Sequence, residues 1–502
     1  MVTSRTPIMT PHIVLNFDIL LEIAAASSWS DSAGLLNACR FLHSEGPKAL
    51  LRKNVDLSTQ DELPHFLAFL RGSLDDVRFK SVRSLCLFFP GLKEVASSEL
   101  SSVLPHLCNL TSLYVAHSEY LRDDLLGALG ALTSLRTLGL PGAGQRTVKM
   151  LQSSQSKLVS IDISFPPEND EDAFFDHDIT QQDDWPQYHP VILLANSRST
   201  LRELECERWH THPEVTPDPE IVYPEMRRLT MGSASYPLTV SFIRAYPNLT
   251  YLSIYTGESD DRHCSARERQ RYDTHRNKNL VAQAPPGCSW QELKESSGAL
   301  VDLYLLGLTC LIERVELVLS HPDYRYMVEP VLSYSQPRHL VLRGWPGQLE
   351  SPANVFSVLQ GQGGTRLESF SLDARLEETD REVDVAAIME GLMSSLVRAP
   401  LQSLEFTIKM WQLDPQRSHD SALARARWRR QLRGLPEPPP SPPEHYPLNF
   451  AERSAEEFDV GDYLRRFAQC FPKLERAVVW VRGIRGREKR AVLENGVVRL
   501  EE

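Results

Sequence analysis

The sequence predicts an α/β fold in which short strands alternate with helices along most of the 502 residues. The main observation is a recurring template: an apolar residue, two polar residues, an apolar residue, any residue and a last apolar residue. Residues 135–140, LRTLGL, are its clearest copy. Alternate side chains of a strand face opposite sides, so Leu138 and Leu140 are expected to point inward. Other copies are at 110–115, 158–163, 201–206, 226–231, 249–254, 312–317, 367–372 and 401–406, with weaker ones at 82–87, 337–342 and 474–479.

The spacing of the copies is the second observation. Leu113 and Leu138 are 25 residues apart, and Leu138 and Ile161 are 23 apart. Leucine-rich repeats have periods of about 20–29 residues and the strand pattern L-x-x-L-x-L. Between copies, residues 123–132 carry leucines at helical spacing. Because one such unit cannot bury its own apolar face, the units must stack. We therefore expect a right-handed solenoid of irregular leucine-rich repeats; ordinary strands of a globular α/β protein are the alternative.

Composition limits the function classes. Hydrophobic residues make up 42% of the chain and charged residues 24%, which is typical of a soluble folded protein. The net charge of −12 argues against general affinity for nucleic acid or for anionic membrane surfaces. Eight cysteines without a C-x-x-C pair predict reduced thiols and a cytoplasmic and/or nuclear location. We expect neither a signal peptide nor a membrane span, because no apolar run is long enough.

Residues 11–55 are expected to form a small all-α helical module. Residues 15–23 open an amphipathic helix that Asn16 or Asp18 would cap, and residues 35–42 form a second helix. Residues 49–52 suggest a short third one, and the polar pair Asp31 and Ser32 is expected to separate the first two. So small a module has too little core to stand alone.

This module resembles an F-box, whose pattern opens L-P-x-E followed by apolar positions at helical spacing. Residues 15–18, LNFD, stand at those four positions, so Asn16 replaces the usual Pro and Asp18 replaces Glu. Residues 39–41, CRF, look like the pattern of the family's second helix. The resemblance covers about 40 residues, and their position before leucine-rich repeats is that of the fungal F-box proteins with irregular repeats. It implies docking on a Skp-type linker through Leu15, Phe17, Ile19, Leu20, Ile23, Leu35, Leu36 and Cys39.

The rest of the chain is expected to follow in order. Residues 56–81 are expected to form a linker with a helix at 61–74. The repeats are expected to occupy 82–411. Within them, the segment 300–308 is predicted to be the helix that precedes the strand 312–317. Insertions are expected at 166–186, which is acidic, and at 256–290, a charged excursion from the solenoid. Residues 412–448 are Pro-rich and expected to be disordered. A terminal repeat at 449–482, with a helix at 458–471, precedes a tail at 483–502, whose basic beginning is expected to fray.

No motif predicts an active site. Gly139 and Gly144 have the spacing of a phosphate-binding loop, but Gln145 and Arg146 follow instead of Lys and Ser or Thr. His210 and His212 lack further metal ligands at suitable spacing. We therefore expect no catalytic residue, cofactor or metal.

The outward positions of the repeat strands form the candidate substrate face. Mixed charge with tyrosine suits protein recognition better than nucleic acid, although simple solvation explains any single residue equally well. The members are Tyr114, Asp162, Glu203, Glu205, Arg228, Tyr251, Arg314, Glu316, His339 and Glu405.

Two functional hypotheses follow. In the first, the chain is a non-catalytic substrate-recognition adaptor of an SCF-type (cullin–RING) ubiquitin ligase, which the F-box resemblance implies. It would dock on the Skp-type linker of the cullin complex and hold an unknown protein substrate on the repeats. In the second, it is a leucine-rich-repeat scaffold unrelated to ubiquitin, and its N-terminal helices cap the solenoid. An enzyme is a remote third.

Overall fold

The coordinates are a computed structural model. They describe residues 16–72, 76–89, 92–165, 189–207, 218–232, 236–255, 264–319, 322–344, 355–414, 428–429, 431 and 447–501. Within these residues there are 16 strands and 17 α-helices, so the predicted α/β class is confirmed. The chain divides into two compact units, Met1–Cys206 and Glu207–Glu502.

The first unit begins with three helices, Phe17–Ala26, Trp29–Leu36 and Arg40–Leu50, and then alternates strands with helices. Its strands are β1 (Asn54–Leu57), β2 (Ser84–Leu87), β3 (Ser112–Val115), β4 (Thr137–Pro141), β5 (Ser160–Ser164) and β6 (Glu203–Glu207). The intervening helices are Glu62–Arg71, Val77–Ser81, Glu94–Val103, Asp123–Gly130, Gln145–Ser153 and Pro190–Leu193. Strands β1 to β5 are parallel, and each pairs with the next along the chain.

The second unit continues the alternation. Its strands are β7 (Arg228–Gly232), β8 (Tyr251–Tyr255), β9 (Glu292–Ala299), β10 (Leu311–Val318), β11 (His339–Arg343), β12 (Ser369–Arg375), β13 (Ser403–Lys409), β14 (Arg476–Ile484), β15 (Arg487–Glu494) and β16 (Val497–Glu501). Its helices are Thr239–Ala245, Ala266–Gln283, Leu300–Leu306, Val328–Ser335, Val355–Gln360, Val385–Leu396, Phe450–Glu457 and Val460–Cys470. Strands β7 to β14 are parallel, and β14, β15 and β16 pair antiparallel.

The template residues build the core. Every predicted template copy overlaps a strand, including the three weaker ones. In the first unit Leu85, Leu113, Leu138 and Ile161 are in register across β2 to β5, and none is more than 2% exposed. The second unit has the same kind of row, because Leu342, Leu372, Phe406 and Val479 are in register and buried. The segment 300–308 also behaves as predicted, since the helix Leu300–Leu306 leads into β10.

Four strands, β1, β9, β15 and β16, were missed by the sequence analysis. In β9 the inward positions next to Leu252 and Ile254 are held by Ser296 and Gly298. Ser296 is fully buried, and a Cβ on Gly298 would overlap the carbonyl oxygen of Ile254. Small residues are required where the neighbouring strand approaches this closely, and a template built on leucine cannot detect such a strand.

The helical module has different boundaries from those predicted. Asp31 and Ser32 lie inside the second helix, which Ser28 caps by accepting a hydrogen bond from the Asp31 amide at 3.2 Å. Cys39 is the N-cap residue of the third helix, so the break falls just before it, and that helix runs to Leu50. The predicted short helix at 49–52 is therefore the end of a longer one.

Two further predictions were wrong in the second unit. Most of the segment 256–290 is not an excursion, because the helix Ala266–Gln283 buries Tyr272, His275, Arg276, Asn279 and Gln283. The basic beginning of the tail does not fray, because β15 and β16 extend the sheet through an antiparallel hairpin. The acidic insertion 166–186 and most of the Pro-rich stretch 412–448 lie outside the described residues.

Candidate partner-binding surfaces

The first helix of the module begins at Phe17, within the segment 15–23 that was predicted to open it. Asn16 is its N-cap residue, and its side-chain oxygen accepts a hydrogen bond from the Asp18 amide at 3.2 Å. An N-cap side chain satisfies one of the amides that a helix start leaves without a partner. Asn16 can thus start a helix at the position where the family pattern has Pro.

The end of this helix is held by Lys53. The Lys53 ammonium donates to the carbonyl oxygens of Ala24 at 2.8 Å and Ser27 at 2.6 Å. The Ser32 hydroxyl donates to the same Ala24 carbonyl at 2.8 Å. A cation at a helix C-terminus also interacts favourably with the helix dipole. These contacts tie the first helix to the second helix and to the start of β1.

The structure separates the predicted docking residues into two groups. Phe17 is 52% exposed, Ile19 is 49% exposed and Ile23 is 39% exposed. Ile19 and Ile23 are one turn apart on the same helix face, and the Phe17 ring lies against Phe41 with centroids 4.4 Å apart. We call Ile19 and Ile23 the apolar helix patch, because Phe17, two positions before Ile19, lies on a different side of the helix. The remaining described residues of the prediction are half-buried: Leu20, Leu35, Leu36 and Cys39.

Within the half-buried group, Leu36 packs between helices of the module. Leu36 packs so closely on Gly46 of the third helix that any Cβ there would overlap the leucine side chain. Leu36 therefore belongs to the helix–helix contacts, and helical spacing in the sequence did not distinguish it from the exposed residues. Leu15, the remaining predicted residue, lies outside the described residues.

The strand face of the first unit brings Tyr114 and Asp162 into one row. Gly139 stands between them in register, and a Cβ there would meet the Tyr114 ring at 2.5 Å, so the tyrosine lies over the glycine. Burial, followed by the negative charge of Asp162, raises the pKa of Tyr114.

The next residue of this row is Cys86, which was not predicted. Burial and a hydrogen bond with Asp56 raise the pKa of its thiol to about 11, so it stays protonated at neutral pH. Glu203 and Glu205 occupy exposed positions of β6.

The strand face of the second unit brings together Arg228, Tyr251, Arg314 and His339, which share one row with Glu295. The Arg228 guanidinium lies 3.7 Å from the centre of the Tyr251 ring. Glu316 belongs to the next row, and so does Glu405. All six predicted residues of this unit therefore face the same side of its sheet.

Part of this face is neutralised by ion pairs within it. Arg343 pairs with Glu316 at 2.6 Å, Lys409 with Asp373 at 2.7 Å, and Arg314 approaches Glu295 at 3.7 Å. In the part of the chain that the structure describes, the side chains of His339 and Glu405 make no hydrogen bond or ion pair. Those two side chains can therefore bind a partner without breaking an existing contact.

An aromatic cluster at the C-terminal strands was missed. The Arg482 guanidinium lies 3.9 Å from the Trp480 ring centre and 4.9 Å from that of Trp411. The Trp480 indole N–H donates to Glu488 at 3.1 Å. A sequence signal was present only for the neighbouring hairpin, since Asn495-Gly496 between β15 and β16 is the strongest short hairpin signature. Arginine and tryptophan are enriched in binding hot spots, so this cluster belongs to the candidate face.

The segment 139–144, whose two end glycines have the spacing of a phosphate-binding loop, does not form a phosphate-binding site. The Glu119 carboxylate occupies the start of the helix Gln145–Ser153 and accepts hydrogen bonds from the amides of Arg146 and Thr147 at 3.0 and 3.1 Å. A Cβ on Gly144 would meet this carboxylate at 2.5 Å. The protein's own carboxylate thus takes the place that an anion would use.

The sequence matches no protein-family model and no curated protein. Among the described residues, no group of three or more acidic, histidine or cysteine side chains is arranged to hold a metal ion, and His210 and His212 lie outside them. None of the helices in this part of the chain has the length and apolar character needed to cross a bilayer.

Proposed function

We propose that the chain is a non-catalytic substrate-recognition adaptor of an SCF-type (cullin–RING) ubiquitin ligase. The N-terminal helices would dock on a Skp-type linker, and the strand face would hold a protein substrate. Its contribution to ubiquitin transfer would be proximity, which raises the local concentration of a substrate lysine at an enzyme carried elsewhere in the complex.

The exposure of the apolar helix patch is the observation that carries this proposal. Water-facing Ile19 and Ile23 share one side of the first helix, whereas the fully buried Ala24 and the Phe17 ring, which contacts Phe41, lie on another side that faces the third helix. Neighbouring exposed apolar side chains beside polar ones, here Ile19 and Ile23 beside Glu22, are typical of protein-binding sites. The patch coincides with positions that the F-box resemblance assigns to linker docking.

The proposal includes a right-handed leucine-rich-repeat solenoid for the strand region. Parallel strands that pair in chain order, with apolar side chains in register, support that architecture. Solenoids use their continuous strand surface for binding. The mixed charges and aromatic rings of the strand face suit a protein substrate.

The alternative is a scaffold unrelated to ubiquitin, with the helices as a cap. A cap stabilises a solenoid by burying its apolar side chains against the first repeat. The third helix does bury Leu42 and Leu50, but Ile19 and Ile23 remain open. The open patch favours docking over capping.

The proposal is tested by combining Ile19→Asp with Ile23→Asp and measuring affinity for a purified Skp-type linker by titration calorimetry. Two central contacts are lost and charge is placed in the interface, so we expect affinity to fall about 100-fold or more. Leu20 is a poorer choice, since it is half-buried and its replacement would disturb the module.

Val95→Asp is the matched control, because Val95 is 72% exposed on the helix Glu94–Val103 of the same unit. It should leave linker affinity unchanged, and thermal melting should show all variants folded. A wild-type protein that does not bind the linker, or a control that loses binding equally, would leave the scaffold as the better description.

A further inference from the structure

One face of the helix Ala266–Gln283 carries a row of basic side chains. Arg267, Arg271 and Lys278 follow one another at spacings of four and seven residues, with Thr274 between them, so they share one side of the helix. The opposite side is buried through Arg276, Asn279 and Gln283. We call Arg267, Arg271 and Lys278 the basic helix row.

The row lines a surface depression. Its volume is about 520 Å³, and its other lining residues are Tyr236, Gln270, Thr274 and His275. Tyr236 adopts a left-handed backbone conformation, with a φ of 49°, which non-glycine residues rarely adopt. Its ring stands edge-on to His275, with centroids 5.3 Å apart. Such backbone strain is retained where the surrounding structure holds a side chain in place. Here the Tyr236 ring lines the depression beside the basic helix row.

The two acidic residues of this helix, Glu268 and Asp273, face partners outside the row. Glu268 accepts hydrogen bonds from the Ser265 hydroxyl at 2.6 Å and amide at 2.8 Å, and Asp273 accepts one from the Tyr304 hydroxyl at 2.7 Å. In contrast, the side chains of Arg267 and Arg271 make no hydrogen bond or ion pair in the described part of the chain. Burial lowers the pKa of His275, so the positive charge of the depression at neutral pH comes from the row.

We propose that the basic helix row binds an acidic segment of a partner protein. Arg267 and Lys278 are 11 residues apart, which is about 16 Å along a helix and matches about five residues of an extended peptide. A single phosphate would reach only part of the row. A long polyanion such as RNA would run beyond it onto a protein whose net charge is −12. This site lies on a helix, not on the strand face, and does not depend on linker docking.

Fluorescence anisotropy of a labelled hexaglutamate peptide with the purified full-length chain tests this inference. We expect saturable binding that weakens between 50 and 300 mM salt, because exposed charges are screened over about 10 Å at 0.1 M. Arg267→Glu combined with Arg271→Glu should weaken binding about tenfold or more, since two attractions become repulsions.

The matched control is Arg398→Glu combined with Lys473→Glu. Both residues are exposed in the same unit, and the pair lowers the net charge by the same four units as the Arg267 and Arg271 replacements. It should retain wild-type affinity. Absence of wild-type binding, equal losses in both double variants, or tighter binding of a labelled RNA hexamer than of the peptide would each overturn the proposal.

Discussion

Replacing Arg485 by methionine is expected to lower the free energy of unfolding by about 3–5 kcal/mol. The Arg485 guanidinium approaches both carboxylate oxygens of Glu452, at 2.7 and 3.2 Å. The Glu452 side chain is completely buried. Methionine can occupy the space of the arginine stem but leaves that carboxylate without its counter-charge, and an unpaired buried charge is among the most destabilising single changes. Chemical denaturation followed by tryptophan fluorescence measures the loss.

A second substitution distinguishes charge from packing at this site. Glu452→Gln added to Arg485→Met removes the unpaired charge, so the double variant should recover much of the stability. Arg487→Met is the control, because Arg487 is 59% exposed and pairs with Glu456 at the surface, where an ion pair contributes about 0–1 kcal/mol. A double variant as unstable as the single one would show that the arginine acts through packing.

Replacing Asn279 by leucine is expected to cost about 2–5 kcal/mol. The fully buried Asn279 amide nitrogen donates to the carbonyls of Leu305 at 2.8 Å and Pro237 at 3.0 Å, and its oxygen accepts from the Thr239 amide at 3.1 Å. Leucine has a similar volume but leaves these backbone groups without their partner. Because Thr239 starts one helix and Leu305 lies near the end of another, the asparagine holds both ends on the helix Ala266–Gln283.

Hydrogen exchange around Thr239, together with chemical denaturation, measures this effect. Asn277→Leu is the matched control, since Asn277 is exposed on the same helix and surface substitutions usually change stability by less than about 0.5 kcal/mol. Faster exchange at Thr239 is expected in Asn279→Leu alone. Unchanged exchange and an unchanged denaturation midpoint would mean that the two helix ends are held by other contacts.

The members of the strand face were predictable because side chains alternate along a strand. Once the leucine template located Leu229, Leu252 and Val315 inside, Arg228, Tyr251 and Arg314 had to lie on the other side, as they do. Their ion pairs were not predictable, because partners such as Glu295 come from a strand that the template did not detect.

The helical module shows the same limit at its candidate docking site. Helical spacing predicted an apolar surface that includes Ile19, Leu20 and Ile23. Which of them is exposed depends on how the third helix packs on the first, and that contact includes Phe41, whose ring meets Phe17 and which lies about 20 residues later in the chain. No local pattern contains this information.

The polar helix Ala266–Gln283 was the least predictable element. Its buried side includes Arg276 and Asn279, residues that a hydrophobic pattern assigns to solvent. They are buried because backbone carbonyls from other helices accept their hydrogen bonds: Arg276 donates to Tyr304 at 2.8 Å and Asn279 to Leu305 at the same distance. A charged sequence can therefore form part of a core when the fold supplies enough acceptors.

The sequence by itself determined the α/β class, the positions of most strands and the side of each strand that faces the core, because those features follow from the alternation of neighbouring residues. Only the tertiary structure decided where polar residues are buried, which apolar residues of the first helix stay open, and that Glu452 meets Arg485. These outcomes depend on contacts between residues distant in the chain, and the energy of such a contact is absent from any local pattern.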